Sequence, residues 1–407
     1  MATIPVFPRR PNGTPARGLV PFAMGFRPYF LLALAFAVAG MAFWVIALIF
    51  GRGLPAHYGG YWHAHEMLFG YAGAVVIGFL LTAIRNWTGR STLARAPLAA
   101  TAALWLAGRV EPWLPVPGWK VAIIDALWLP LMALALAVPL IRAGHHKSLI
   151  FPLMVLLMGA ANMLMHAEFL GWGLGWARPA GFAGLYLVLL MLTILGGRVV
   201  PFFTERGAPG SIPVSWSWLE SWVVPLTLLH GIAAVHAAAS GAGSGLVALT
   251  GVPAGVVHAA RLYGWTGRAA WRVPMVWVLH AGYGAMALGF MLTGLVGLGV
   301  LDGMDATHAL TAGAIGLMTA GMVTRVTLGH TGRNVFEPPA GTTVAFVAIA
   351  LAGVFRVLAG WMGSAIWMDG WRFAMALSGS LWVLGFLVLL WGLAPMLLRS
   401  RVDGGMG

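Results

Sequence analysis

Twelve histidines occur in a chain of 407 residues that contains no cysteine and only 11 acidic residues. Imidazole is the commonest metal ligand and suits copper, iron and zinc. The absence of cysteine excludes disulfides, thiolate-bound metals, iron–sulfur clusters and covalently attached c-type haem. Any metal centre therefore uses histidine, methionine, carboxylate or backbone ligands.

The histidines with the most informative positions lie near the ends of predicted apolar helices. His63 and His65 begin the second such helix, His166 closes the fifth and His308 begins the tenth. Consecutive helices run in opposite directions across a membrane, so these ends share one depth near the outer face. We expect at least one metal or haem centre in this layer. For any single histidine, the alternative is a hydrogen bond between helices.

Residue spacing indicates which of these side chains face one pocket. His63 and His65 are two positions apart, roughly 200° around a regular helix, so they belong to two different sites. Met67 lies on the face of His63 and offers a soft thioether. Asn162 precedes His166 by one turn, where it can hydrogen-bond the imidazole and fix which ring nitrogen is free. The candidate metal ligands of the layer are His63, His65, His166, His308 and Met67.

Two further candidate histidines lie outside this layer. His280 is in the ninth predicted helix with Tyr283 on the same face, so it is a further candidate haem ligand beside a phenol that can carry protons. Glu66 offers a proton path from the outer side, and we take Tyr283 and Glu66 as candidate catalytic residues. His330 is a candidate ligand of a separate inner site, because about 33 Å of helix separates it from His308. Contact with lipid headgroups is the alternative for His330.

The elements that position these residues follow from the composition. Hydrophobic residues make up 60% of the chain, charged residues only 9%, and the mean hydropathy is +0.87. These values exclude a soluble globular enzyme, because soluble domains carry about 25% charged residues. A spanning helix needs roughly 20 apolar residues, so the length accommodates twelve.

We predict an all-α polytopic membrane protein in which residues 27–398 form a single transmembrane domain between a cytoplasmic segment, 1–26, and a cytoplasmic tail, 399–407. The predicted spans lie near 28–50, 62–84, 95–113, 119–141, 148–171, 178–200, 215–239, 244–262, 272–298, 305–327, 342–361 and 370–397.

Basic residues indicate the orientation. With twelve spans, eighteen of the 24 Lys and Arg residues fall on the side that holds both termini, which predicts that both termini are cytoplasmic. The net charge of +13 is distributed in ones and twos between apolar segments, so it does not indicate nucleic-acid binding. The sequence instead predicts the lipid bilayer as the partner of most of the surface.

A weak internal sequence similarity links three spans. Span two ends with Thr82 and Arg85, span six contains Thr193 and Arg198, and span ten ends with Thr324 and Arg325, followed by Gly329-His330-Thr331-Gly332-Arg333. Spans two, six and ten are four apart, which suits three arcs of four helices. The alternative is that Thr and Arg simply stop each helix at the inner headgroups.

Six motifs together resemble the NnrS family over residues 20 to 395. They are Phe26-Arg27-Pro28-Tyr29-Phe30, Trp62-His63-Ala64-His65-Glu66-Met67-Leu68-Phe69-Gly70, Leu195-Gly196-Gly197-Arg198-Val199-Val200-Pro201-Phe202-Phe203-Thr204, Trp277-Val278-Leu279-His280-Ala281-Gly282-Tyr283, His308-Ala309-Leu310-Thr311-Ala312-Gly313-Ala314 and Leu328-Gly329-His330-Thr331-Gly332-Arg333. The resemblance implies a bacterial inner-membrane protein with twelve helices, haem b and copper, associated with denitrification and nitrosative stress caused by nitric oxide.

The family in turn resembles, remotely, the catalytic subunit of haem–copper oxidases and nitric oxide reductases. That likeness implies haem ligation by His308 and either His63 or His65. The copper-binding histidine of span six has no counterpart here, because residues 178–200 contain no histidine. Copper would then use the remaining outer imidazole, His166 and Met67.

Three functions remain open at this point. A haem–copper oxidoreductase would act on nitric oxide or a related nitrogen oxide with electrons from quinol or another donor. A transporter would move metal, haem or a small anion along a path lined by histidines. A delivery protein would hold copper or haem for another enzyme.

Overall fold

Helices make up nearly all the regular structure of the computed structural model, which describes residues 20–404 except positions 52, 174, 302, 366 and 367. No strand occurs in these residues. An apolar chain in lipid has no water to satisfy its backbone groups, so the backbone must satisfy them within each helix. Part of the predicted N-terminal segment, residues 1–19, and the last three residues of the tail lie outside the described residues.

The helices are, in chain order, α1 (Phe26–Phe50), α2 (Trp62–His65), α3 (Gly73–Thr88), α4 (Arg95–Val110), α5 (Gly118–Arg142), α6 (Ile150–Phe169), α7 (Ala177–Gly207), α8 (Ser217–Ser240), α9 (Ser244–Trp265), α10 (Pro274–Gly297), α11 (Gly303–His308), α12 (Gly316–His330), α13 (Thr342–Ala365) and α14 (Met368–Leu398). Two π-helical segments, π1 (Glu66–Ala72) and π2 (Ala309–Ile315), join α2 to α3 and α11 to α12.

Eleven helical segments within the described residues are long and apolar enough to cross a membrane, which makes the chain a multi-pass membrane protein. The predicted number of twelve is not confirmed. The difference lies at predicted span 95–113, where α4 has only 16 residues before a 3₁₀ turn, Glu111–Trp113, follows it. At 1.5 Å per residue such a helix is about 24 Å long, whereas the hydrocarbon core is about 30 Å thick.

Helices that follow one another in the chain pack side by side from α4 to α10, and α13 packs against α14. The N-terminal helix α1 packs against α14 and α3, which joins the two ends of this series. Between them, α3 contacts α12, and both π1 and π2 contact α7. The second, sixth and tenth predicted spans therefore meet inside the bundle.

The two π-helical segments occupy equivalent positions in two different spans. Each has seven residues and begins directly after a histidine, His65 or His308. Tyr71 of π1 and Thr319 of α12 hydrogen-bond at 2.6 Å, with Tyr71 as the donor because the Thr319 hydroxyl donates to the carbonyl of Ile315. Such segments contain one extra residue per turn and occur frequently at functional sites.

Candidate metal centre

Three side chains from three helices converge near the side of the membrane where α2 begins, called the outer side below. His65 of α2, Asp125 of α5 and His166 of α6 each offer a ligand atom, and these atoms lie within 4.8 Å of one another. All three residues are buried. Among the described residues, no other group of three or more His, Cys, Asp or Glu side chains meets this geometry.

Asp125 is the common partner in this cluster. Its Oδ2 atom lies 2.9 Å from Nε2 of His166 and 3.2 Å from Nε2 of His65. The amide of Asn162 donates a hydrogen bond of 2.9 Å to the same oxygen. One carboxylate oxygen thus holds both imidazoles, so the two rings face a common point.

His65 is surrounded by oxygen atoms on both sides of its ring. Nδ1 lies 3.1 Å from Oε1 of Glu66, and Nε2 lies 2.7 Å from Oδ1 of Asn162. A neutral imidazole has only one N–H, so it can donate to one side only. The other close approach requires a second proton, on the ring or on the facing carboxylate.

The charges around the cluster also favour a cation. Arg109, at the end of α4, forms ion pairs with Glu66, at 3.1 Å, and with Asp125. These two buried carboxylates carry two negative charges, and Arg109 supplies one positive charge. Because buried charges are costly without compensation, the cluster is stabilised by one more positive charge.

Two glycines allow this close packing. A Cβ atom at Gly108 would lie 2.8 Å from Oδ1 of Asp125, and one at Gly70 would lie 2.6 Å from a terminal nitrogen of Arg109. The carbonyl of Gly70 also accepts a hydrogen bond of 3.2 Å from the indole of Trp105. Glycine at both positions is therefore required for the observed geometry.

His57 and Tyr58 cover the cluster from the loop before α2. His57 Nε2 lies 3.0 Å from Nδ1 of His166, which extends the chain of contacts toward the outer surface. Burial, together with the nearby imidazoles of His166 and His65, lowers the pKa of His57 to about 4, so this ring is neutral at pH 7. Burial and the Glu66 carboxylate raise the pKa of Tyr58, so its hydroxyl keeps its proton.

His63 lies apart from this cluster, as the two-residue spacing predicts. Its ring stacks on Trp44 of α1 with centroids 4.7 Å apart, and its Nδ1 is buried without a hydrogen-bond partner among the described residues. Met67 packs against the main apolar core. Asn162 hydrogen-bonds His65 and Asp125. The imidazole that it orients is therefore that of His65 and not, as predicted, that of His166.

His308 is the last residue of α11 and directly precedes π2. In the same short helix, Asp305 forms an ion pair of 3.3 Å with Arg356 of α13. The charge of Arg356 also acts on His63 of span two. Residues from α2, α11 and α13 therefore lie near one another at the outer side, separately from the Asp125 cluster.

Tyr283 and His280 do not form the predicted pair. His280 contacts the carbonyl of Val276 at 3.0 Å and lies 3.4 Å from the hydroxyl of Thr204. Tyr283 instead donates a hydrogen bond of 2.7 Å to Nδ1 of His258.

Arg261 extends this second network toward the inner side. Its guanidinium donates to the Tyr283 hydroxyl at 3.0 Å and forms an ion pair with the half-buried Glu220. On the far side of the His258 ring, Nε2 lies 2.9 Å from the hydroxyl of Thr227. The network thus connects the inner end of α8 with the middle of α10.

His330 lies at the inner end of α12, far from the outer cluster along the helix. Its ring contacts Phe26 with centroids 5.6 Å apart and lines an inner cavity. As the spacing along the helix predicts, His330 lies far from His308.

The centre of the outer cluster, Asp125, was missed by sequence reasoning, as was its counterion Arg109. Both are ionisable residues close to outer helix ends, so the depth criterion applied to the histidines would have identified them.

Comparison with known proteins identifies the family of the chain. The sequence model described as NnrS protein matches residues 20–401, nearly the whole chain. A comparison with curated proteins finds no match. The match includes every member of the Asp125 cluster and both histidines that precede the π segments. The chain belongs to the NnrS family, which associates it with membrane proteins of the nitric oxide response.

Proposed function

We propose that this protein binds copper and haem in the bacterial inner membrane and carries out redox chemistry on nitric oxide or a related nitrogen oxide. Its role would be nitric oxide metabolism or protection against nitrosative stress. The observation that supports the metal centre most directly is the convergence of His65, Asp125 and His166 in a buried, negatively charged cluster.

The donor set fits a first-row transition metal. Two imidazoles and one carboxylate are ligands that copper and iron accept, whereas a magnesium site would consist mainly of oxygen atoms. Copper, when bound there, supplies one-electron redox chemistry and a coordination position for a nitrogen oxide. The choice of copper rests on the family resemblance, and the choice of residues rests on the geometry.

The surrounding residues orient these ligands. Asn162 and Arg109 hold Asp125 so that Oδ2 faces the two imidazoles. Outer hydrogen bonds of this kind fix ligand orientation and tune metal affinity. His57, neutral at pH 7, connects His166 with the outer loop.

For haem b, we propose His63 and His308 as the axial ligands. The unpartnered Nδ1 of His63 and the position of both histidines at the outer ends of two spans that meet inside the bundle support this proposal. His280 is a weaker candidate because its ring already contacts a backbone carbonyl. We further propose that both termini are cytoplasmic, from the distribution of basic residues, and that quinol or another donor supplies electrons.

The test is metal analysis and optical spectroscopy of the purified protein, oxidised and reduced, with and without nitric oxide. Copper should be present in the wild type and absent in His65→Ala and His166→Ala. His236→Ala, which changes an exposed histidine near the outer end of α8, should keep its copper. Wild-type protein made with ample copper and haem that holds neither would overturn the proposal.

Delivery or transport of copper is a second function that one observation favours. His57 lies outside the helical span and contacts His166 inside it, so the imidazoles form a continuous path from the outer loop to Asp125. Wild-type protein in nanodiscs that passes copper to a chelator on one side faster than His57→Ala does would favour delivery. Copper that remains bound while nitric oxide is consumed would favour the redox function.

A further inference from the structure

A cavity of about 200 Å³ lies at the inner side, between the ends of three helices. The residues that line it are Phe79, Thr82, Ala83, Asn86 and Trp87 of α3, Leu195, Arg198 and Val199 of α7, and Val326 and His330 of α12. These are the inner ends of the second, sixth and tenth predicted spans. The same three spans share Thr and Arg residues at similar positions in the sequence. The cavity is on the opposite side of the membrane from the Asp125 cluster.

The polar lining of this cavity contains one arginine and several hydrogen-bonding groups but no acid. Arg198, His330 and Asn86 all face it, together with Trp87, and the lining includes no Asp or Glu. The side-chain amide N–H of Asn86 and a ring N–H of His330 are donors at this cavity, and an oxyanion can accept hydrogen bonds from them.

Most neighbouring arginines are already engaged, and two are not. Arg27 donates to the carbonyls of Leu397 and Arg399 at 2.9 and 2.7 Å. Arg401 is paired with Asp403. Arg85, next to Asn86, and Arg198 have no ion pair among residues 20–404 as far as these are described.

The positive charges of several arginines add to one another near His330. Arg401, Arg85 and Arg27 all act electrostatically on His330. Like charges gathered near a partly apolar cavity repel one another, and an anion between them removes that repulsion. A guanidinium is planar and binds two oxygens of one oxyanion at once, which a halide cannot offer.

We infer that this inner cavity is a binding site for an oxyanion, held by Arg198 with hydrogen bonds from His330 and Asn86. Arg85, one residue before Asn86, adds to the positive potential beside the cavity without lining it. The chemistry is shared by two sources, the phosphate of a lipid headgroup and a free inorganic oxyanion. Neither source depends on the proposed copper and haem chemistry, so this site can be tested in protein that contains no metal.

The first experiment uses inorganic phosphate and nanodiscs made only of zwitterionic lipid. Phosphate should raise the melting temperature of the wild type in a saturable manner. Arg198→Gln should weaken phosphate affinity by about 10- to 100-fold, because one charge-assisted pair of hydrogen bonds is lost. Arg198→Lys, which keeps the charge but not the planar fork, should show an intermediate loss.

Arg206→Gln is the matched control. Arg206 lies on the same helix, is exposed, packs over the ring of Phe202 and does not line the cavity. Arg198 is itself exposed on one side, so its substitution leaves the core packing intact. Equal phosphate affinity in wild type, Arg198→Gln and Arg206→Gln would overturn a site for the free ion.

The second experiment identifies a lipid source. Wild-type protein extracted from membranes that contain phosphatidylglycerol should retain this lipid in native mass spectrometry, and Arg198→Gln should lose it while Arg206→Gln keeps it. Phosphate binding without lipid retention assigns the free oxyanion, and lipid retention without phosphate binding assigns the headgroup. If Arg198→Gln matches the wild type in both experiments, the cavity is not an oxyanion site.

Discussion

The imidazole Nε2 of His166 lies 2.9 Å from Oδ2 of Asp125, and this contact joins α6 to α5 inside the membrane. The same carboxylate pairs with Arg109 of α4 through its other oxygen. Asp125 is therefore both a candidate metal ligand and the counterion of a buried arginine. This double role distinguishes it from every histidine in the chain.

Asp125→Asn keeps the volume of the side chain and removes its charge. We expect loss of copper and a decrease of about 1–3 kcal/mol in the free energy of unfolding, because the buried Arg109 loses one of its two carboxylate partners. Copper analysis and chemical denaturation measure the two effects, with the exposed Glu205→Gln as control. Folded Asp125→Asn protein with a full complement of copper would show that the carboxylate is not a ligand.

Gly108→Ala tests the close packing without changing any polar group. Its new Cβ atom would lie 2.8 Å from Oδ1 of Asp125, so the carboxylate must move away from Arg109. We expect copper affinity at least about tenfold lower than in wild type, equivalent to about 1.4 kcal/mol. At Gly181 the nearest atom is 3.9 Å away, so Gly181→Ala should bind copper normally. Unchanged affinity in both variants would mean that the carboxylate position is unimportant.

The depressed pKa of His57 predicts a pH dependence of stability. This pKa falls from its usual 6.5 to about 4 on folding, so between these values the unfolded chain binds a proton that the folded chain does not. The stability contributed by the neutral His57 is therefore complete above pH 6.5 and is lost as the pH falls to about 4. Melting temperatures of metal-free protein should fall more steeply over this range in the wild type than in His57→Gln. Parallel curves would contradict this prediction.

His63→Ala and His308→Ala should each remove or convert the absorption spectrum of the bound haem, because each removes one proposed axial ligand. The spectrum of the exposed-loop variant His146→Ala should be unchanged. Copper content should remain near that of wild type in all three variants, since neither His63 nor His308 belongs to the Asp125 cluster. If His280→Ala lost its haem and both other variants kept theirs, the assignment of the haem to His63 and His308 would be wrong.

Tyr283→Phe separates the inner network from the outer cluster. The change removes the hydrogen bond to His258 and one partner of Arg261, so we expect a loss of about 1–3 kcal/mol of stability. Copper and haem contents should not change. If nitric oxide turnover is lost while stability is kept, Tyr283 acts in proton transfer instead.

The sequence was sufficient to predict a helical membrane protein and the layer in which His65 and His166 meet, because hydrophobicity and helix direction determine depth. It did not predict Asp125 as their common partner. Depth along a helix does not specify which side of it faces a neighbour, and that depends on packing between α4, α5 and α6. The Tyr283–His280 pair was inferred from a shared helix face, yet α9 supplies His258 to Tyr283 instead. The short α4 was counted as a full span because the predicted span included the turn Glu111–Trp113 that follows it, although this turn begins with an acidic residue.

The two π segments, π1 and π2, restrict which insertions and deletions the sequence can accept during evolution. Each seven-residue segment contains a wide turn, and deleting one residue from it would restore regular α-helical winding. Everything before the deletion would then rotate by about 100° relative to the inner half of the span. The directions of His65 and His308 are therefore set by the number of residues in Glu66–Ala72 and Ala309–Ile315 as much as by the side chains themselves. Single-residue insertions and deletions at these two positions, more than substitutions, would separate relatives that keep the outer sites from those that have lost them.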